Sequence, residues 1–268
     1  FTLMFKTEKF IKERYFMIKA YIYKILHSVP FYLSIIGVFL ICSIRMLGGA
    51  FGGEDVLMET NILLDLDAFR KVIAVFAALP FAANFAVEWK SNVTNSCILR
   101  SSSNKYIAAN IVFCFITAFI TVLIGMILFM CIYTLKLPLY IFDPNPKIPP
   151  YGILIDQGFP TIYLLIRITI FSFSCAMWSI SGLALAALFP DPFVAACTPF
   201  ITSYLLERVS MQFPDVFNLW YLSLSRVAIY DNAVISFIYT IAVFTLLAAL
   251  FGFIFAKAVK RRIANEFM

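Results

Sequence analysis

The sequence predicts an all-α integral membrane protein, a single domain over residues 1–268 with six transmembrane helices. Composition is the first reason: 62% of the residues are hydrophobic, 13% are charged and the mean hydropathy is +0.92, whereas a soluble domain holds about 45–50% apolar residues. Pattern is the second, because apolar runs long enough to cross roughly 30 Å of hydrocarbon recur along the chain. Charge placement is the third. Basic residues crowd the flanks of some runs and acidic residues the flanks of others, as orientation in a bilayer demands. The net charge of +6 is explained by those flanks, which leaves no reason to invoke nucleic acid.

Residues 5–28 come first. Lys6, Lys9, Lys12, Arg14, Lys19 and Lys24 alternate with an apolar stripe of Ile11, Tyr15, Ile18, Ile22 and Ile25, spaced by four and three. That is an amphipathic helix lying in the interface, its lysines drawn to anionic headgroups. A cleavable signal peptide fits less well, since the segment is too basic and lacks an unbroken apolar core before Pro30.

Span one is expected over about residues 31–47, ended by the Gly48-Gly49 and Gly52-Gly53 pairs, where a helix would be costly to continue. No Lys-Ser/Thr follows at the spacing of a phosphate loop. Glu54, Asp55, Glu59, Asp65 and Asp67 then mark an acidic outer loop. Its carboxylates are expected to be solvated, with Asp67 or a neighbour capping span two, about residues 69–87 and interrupted by Pro80. Span three is expected over about residues 106–135. Pro138, Pro144, Pro146, Pro149 and Pro150 argue against helix beyond it, so residues 137–160 read as an outer loop of extended and turn segments.

Span four, about residues 162–189, carries Ser174, Ser179, Ser181, Gly182, Ala184, Ala186 and Ala187, small residues that permit close helix packing. The short turn Pro190-Asp191-Pro192 leads into span five, about residues 193–209, interrupted by Pro199. An outer segment with Trp220, Tyr221 and Tyr230, aromatic types suited to the headgroup level, precedes span six, about residues 233–256. Lys257, Lys260, Arg261 and Arg262 stop it. With both termini, the 88–104 segment and the adjoining Lys105 inside, 13 of the 21 Lys and Arg lie on the cytoplasmic side, and that bias sets the orientation.

Enzymatic chemistry finds no support. His27 is the only histidine and none of the six cysteines has zinc-ligand spacing, so a metal site is not expected; all six cysteines fall in apolar runs or in the polar island and none in an outer segment, so neither is a disulfide framework. Arg45, Arg167, Glu207 and Arg208 fall near the outer span ends, where snorkelling relieves them. The spans otherwise look almost free of charge, which argues against a proton- or sodium-coupled carrier. No Gly-x-x-x-x-Gly-Lys-Ser/Thr motif occurs, so an ATPase would have to be a second polypeptide.

The polar island of residues 88–104 separates spans two and three. Val93, Cys97 and Ile98 are placed as on one face of a short surface helix; an ordinary solvated loop is the alternative. The run from Glu88 to Ile98-Leu99, followed by Ser101-Ser102-Ser103-Asn104-Lys105-Tyr106 and the small-residue start Ala108-Ala109-Asn110, resembles the first cytoplasmic loop of type-2 ATP-binding-cassette (ABC) exporter permeases. Two positions depart from that pattern: Asn92 where Gly is common, and Ser103-Asn104 where Pro-Ser or Ser-Arg is common.

The resemblance covers nearly the whole chain and implies a multi-pass protein of a bacterial cell membrane. Residues 88–104 would be a cytoplasmic coupling helix docking on an ABC ATPase through Glu88, Lys90, Asn92, Cys97, Ile98, Leu99, Arg100 and Asn104. The inner turn Pro190, Asp191 and Pro192 would assist. It further implies two ATPase copies, a second permease copy or a related permease, ATP and Mg on the partner and none on this chain, and short re-entrant helices before span six. Spans two and five would line the path, with Pro80, Phe81, Phe85, Pro199 and Phe200 as candidates, although both prolines equally suit packing kinks. An apolar path suits an amphipathic or hydrophobic cargo, a peptide ahead of a lipid or drug. The alternatives are a non-transporting immunity or sensor protein that binds a hydrophobic ligand, and an ion-coupled secondary transporter.

Overall fold

A computed structural model describes residues 19, 21–47, 54–91, 103–141 and 150–266. It is all-helical, with no strand among the described residues. Residues 21–26 form a helical segment ahead of α1 (Val29–Leu47), α2 (Val56–Asp65), α3 (Asp67–Lys90), α4 (Ser103–Tyr133) and the short α5 (Gly152–Asp156). Then come α6 (Pro160–Leu188), α7 (Pro192–Ser210), a 3-10 turn (Asp215–Phe217), α8 (Leu219–Ser223) and α9 (Ala233–Glu266). Four of these, α3, α4, α6 and α9, are long and apolar enough to cross a membrane. Helices α1 and α7 are 19 residues each, about 28 Å at 1.5 Å per residue, and they occupy the other two ranges expected to span.

Helix α6 is the centre. Its most apolar stretch is 83% buried, against 28% for α9, and α3, α4, α7 and α9 all pack on it. The small residues explain this position. Gly182 lies so close to α7 that an added Cβ would sit 2.5 Å from the Ala195 carbonyl oxygen. That carbonyl lies four residues before Pro199, which has no N–H to offer it. The two helices are also tied by a hydrogen bond between Ser181 Oγ and Thr202 Oγ1, 2.8 Å apart. Close approach recurs between α1 and α4, where a Cβ on Gly125 would meet Val38 Cγ1 at 2.6 Å.

Pro80 does not end α3. It sits in a π-helical turn, Leu79–Ala83, which absorbs the missing N–H by widening the helix locally. Asn84 Nδ2 donates to the Pro80 carbonyl at 2.9 Å, and the helix continues to Lys90.

Several expectations are corrected. The acidic segment is not a solvated loop, because it folds as α2 with Asp55 and Glu59 buried at 6% and 2% exposure. Asp55 makes that burial tolerable by bonding at both oxygens: Oδ1 accepts from Met58 N at 2.6 Å and Oδ2 from Ile141 N at 2.8 Å. The backbone N–H groups of Val56 and Leu57 donate to the carbonyls of Pro138 and Leu139, both at 3.1 Å. Asp67 does not cap α3. It occupies the first turn, and its carboxylate turns to Arg70. The proline-rich outer segment holds one helical turn, α5, in the gap between its prolines. Finally, α9 runs past residue 256 to Glu266, since basic residues with good helix propensity continue a helix as readily as they stop a span.

Candidate functional site

Two ends of the bundle are built differently. At one end, α3 reaches Lys90 and α4 restarts at Ser103. Glu88 forms an ion pair with Lys24 of the leading helical segment. Beneath it Trp89 is buried against Phe85, and the Arg262 guanidinium of α9 lies 5.2 Å from the Trp89 ring centre. Tyr21 stacks on Phe113 at 4.7 Å, which brings the same leading segment onto α4. One apolar cluster there joins residues of α3, α4, α6, α7 and α9, including Trp89, Tyr106, Ala187, Ala195 and Val259.

Of the expected docking residues, Glu88 and Lys90 end α3 and Asn104 begins α4, with Lys90 and Asn104 exposed. Asn92, Cys97, Ile98, Leu99 and Arg100 lie outside the described residues. The second turn at this end is tight. Asp191 caps α7, its Oδ1 accepting from Phe193 N at 2.8 Å and Val194 N at 3.1 Å, and Pro192 opens the helix. Pro190 is half-buried beside it.

The candidate path residues are not brought to one surface. Phe81 and Phe85 are side-chain core at 5% and 2% exposure, with Phe85 edge-on to Phe255 at 5.4 Å. Pro80 and Pro199 are buried, whereas Phe200 faces outward at 41% exposure. Pro80, Phe81 and Phe85 do share a cavity of about 10 Å³ with Lys24, Glu88 and Asn110.

The other end holds what the residue pattern concealed. Arg70 and Lys71, in the first turns of α3, converge on Glu207 near the end of α7. Arg70 Nη2 donates to Glu207 Oε2 at 2.7 Å and to Asp67 Oδ1 at 2.9 Å, and its Nη1 donates to Ser223 Oγ at 2.9 Å. Lys71 Nζ donates to the same Glu207 oxygen. The side chains of Arg70, Lys71 and Glu207 are 3%, 4% and 6% exposed, so this is a buried charge cluster. A cavity of about 10 Å³ adjoins it, lined also by Ser174 and Ser203. That is room for about one water.

The cluster extends outward. The Trp220 ring lies between two guanidinium groups, Arg70 at 5.9 Å and Arg226 at 5.8 Å, and Arg226 donates to Asp65 at 2.7 Å. Arg167 is a separate buried cation at 4% exposure. It donates to Asn61 Oδ1, to Tyr163 Oη at 3.1 Å and to the Leu224 carbonyl at 3.1 Å.

These contacts correct the expectation of outward snorkelling for Arg167 and Glu207, whereas Arg208 is exposed as expected and the side chain of Arg45 lies outside the described residues. α3 and α7 pack side by side, and burying Glu207 is tolerable only because two cations meet it; removing one partner of such a pair typically costs about 3–5 kcal/mol. One sequence signal existed. Glu207 is the only acidic residue in α7, and Arg70 and Lys71 stand three and four residues beyond Asp67, within reach of its carboxylate on a helix. Which helix Glu207 faces was not written in the pattern.

Comparison with protein-family models, curated proteins and solved structures finds no match to this chain.

Proposed function

We propose that this chain is the permease subunit of an ATP-driven exporter resembling the type-2 ABC class. It crosses a bacterial cell membrane six times with both termini in the cytoplasm and works beside a second permease, two ATPase subunits docking from below. The cargo is amphipathic or hydrophobic, a peptide ahead of a lipid or drug. ATP and Mg belong to the ATPase. The supporting observation is the end of the bundle around Glu88. The link between Lys90 and Ser103 joins two spanning helices where the leading segment, α3, α4 and α9 are held together by Lys24–Glu88, by Tyr21 on Phe113 and by Arg262 over Trp89. A push on that link would reach all of them, whereas the Asp191 turn is too tight to carry a docking helix.

The test is purification of the chain from its native membrane, followed by ATP-dependent export in vesicles. An ATPase subunit is expected to co-purify, and replacing residues 92–102 by a Gly-Ser linker is expected to leave the folded chain in the membrane while abolishing transport. Unchanged transport in the linker variant sinks the reading. A chain that purifies with no ATPase and moves nothing is the sensor or immunity protein instead. The buried Arg70–Lys71–Glu207 cluster favours one second reading, an ion-coupled carrier, since intramembrane charge marks ion pathways. Export that survives vanadate but collapses with a protonophore would select it.

A further inference from the structure

We propose that the cavity between α3, α6 and α7 is a binding site for the anionic head of an amphiphile, a carboxylate or phosphate, and that Glu207 holds this site as an internal stand-in. Charge is the first reason. Two cations, Arg70 and Lys71, are buried there against one buried anion, and both donate to the same Glu207 oxygen. Asp67 balances the count only from the rim, where it is 39% exposed and screened by water. A cluster serving stability alone gains little from such groups, because apolar residues of similar volume do as well or better. Facing a cavity inside a helical bundle, buried charge marks a ligand path.

Shape is the second reason. Beside the cations the wall is mixed, with Ser174, Ser203 and Ser223 next to the apolar Ala74, Phe171 and Trp178, so a charged head finds hydroxyl partners and an apolar body a matching surface side by side. A cationic ligand would have to face Arg70 and Lys71, and a neutral one would leave them only the rim carboxylate of Asp67 once Glu207 moved. Space for one water means that a head group enters only as the Glu207 carboxylate leaves. Glu207 lies in the last turn of α7, next to the exposed Arg208. The inference rests on the export reading only for the later movement of the ligand, since binding belongs to this chain alone.

The experiment is titration of the full chain, in nanodiscs of zwitterionic phosphatidylcholine, with dodecanoate, dodecyl phosphate and dodecanol, read by the fluorescence of Trp178 and Trp220. Either anion is expected to bind about ten-fold or more tightly than dodecanol, as one charge-assisted contact implies. Glu207→Gln is expected to widen that preference by vacating the site, and Lys71→Gln to shrink it. Equal affinity for dodecanoate, dodecyl phosphate and dodecanol in the parent overturns the proposal, and needs no variant to fold. A preference that survives Lys71→Gln undiminished also overturns it. Discs doped with phosphatidylglycerol identify the source: weakened dodecanoate binding means that lipid headgroups use the site, and unchanged binding means that a free amphiphile does. Anion preference retained in a chain that shows no ATP-driven export would remove the export reading and leave this site standing.

Discussion

Arg167 shows how much a single buried residue can organise. Its guanidinium reaches Asn61 of α2, Tyr163 one turn away and the carbonyl of Leu224 just past α8, and no carboxylate pairs with it among the described residues. Only a planar fork with several donors can serve three acceptors in different directions. Arg167→Met therefore leaves the buried Leu224 carbonyl and the half-buried Asn61 amide oxygen without this donor, at a cost of about 1.5–3 kcal/mol for each charged hydrogen bond not replaced by another. A clear drop in the midpoint of a thermal melt of the purified chain is expected, and Arg167→Lys should fall between parent and Met because one ammonium cannot reach all three. A Lys variant as stable as the parent would mean that charge, not fork geometry, matters. Neither Arg167 nor the Arg70–Lys71–Glu207 group was legible as buried, since hydropathy places a charge near a helix end without telling whether another helix covers it. Tyr151 makes the same point outside the spans. Burial at 2% exposure pushes its phenol pKa up, in a segment that the prolines alone mark as loop.

Among the elements, helix existence was largely written in the chain and helix contacts were not. The six apolar runs each coincide with a helix, because length and apolarity are local properties. Boundaries drifted where a local rule had two outcomes. Pro160 stands at the first position of α6, where its missing N–H costs nothing. The basic run after Ala256 continues α9. The small residues of α6 did forecast close packing, and the α6–α7 seam makes it testable. Gly182→Ala would drive a methyl into backbone, the Ala195 carbonyl 2.5 Å away, so overpacking should cost about 1–3 kcal/mol. Gly252→Ala meets only the flexible Ile111 Cδ1 at 3.2 Å and should be near neutral. Equal melting midpoints for the two variants would mean that the α6–α7 contact yields more than its geometry suggests. The cap of α2 gives an ordered series. Asp55→Asn keeps an acceptor for Met58 N but presents an amide N–H₂ toward Ile141 N, whereas Asp55→Ala removes both bonds. Since losing an N-cap costs about 0.5–2 kcal/mol, stability should run parent, then Asn, then Ala, and an Asn variant matching the parent would show that the tie to Ile141 contributes nothing.

For the whole molecule, the issue is which segments share a side. Helix α4 has 31 residues, about 46 Å at 1.5 Å per residue, enough to separate its two ends across a bilayer. At its start lie the Lys24–Glu88 pair and Arg262 over Trp89, so the leading segment, the end of α3 and the tail of α9 belong to one side. At its finish Pro138 and Leu139 accept from α2, Arg226 meets Asp65, and Tyr239 Oη donates to the Val216 carbonyl at 3.0 Å. That gathers α2, the residues just past α4 and the Asp215–Tyr230 region on the other. Contacts alone fix which segments travel together; the proposed orientation rests on charge, since Lys257, Lys260, Arg261 and Arg262 crowd the first side and a basic flank favours the cytoplasm. Two single-cysteine chains test both statements at once, one keeping Cys97 and one carrying Asn145→Cys with every native cysteine replaced by Ser. With an impermeant maleimide, Asn145→Cys should label in intact cells, and Cys97 only after permeabilisation. The reverse pattern would invert the orientation and refute the charge argument while leaving the bundle intact. Labelling of both sites from the same side would break the two-ended arrangement itself, and with it the docking role given to the 91–102 link.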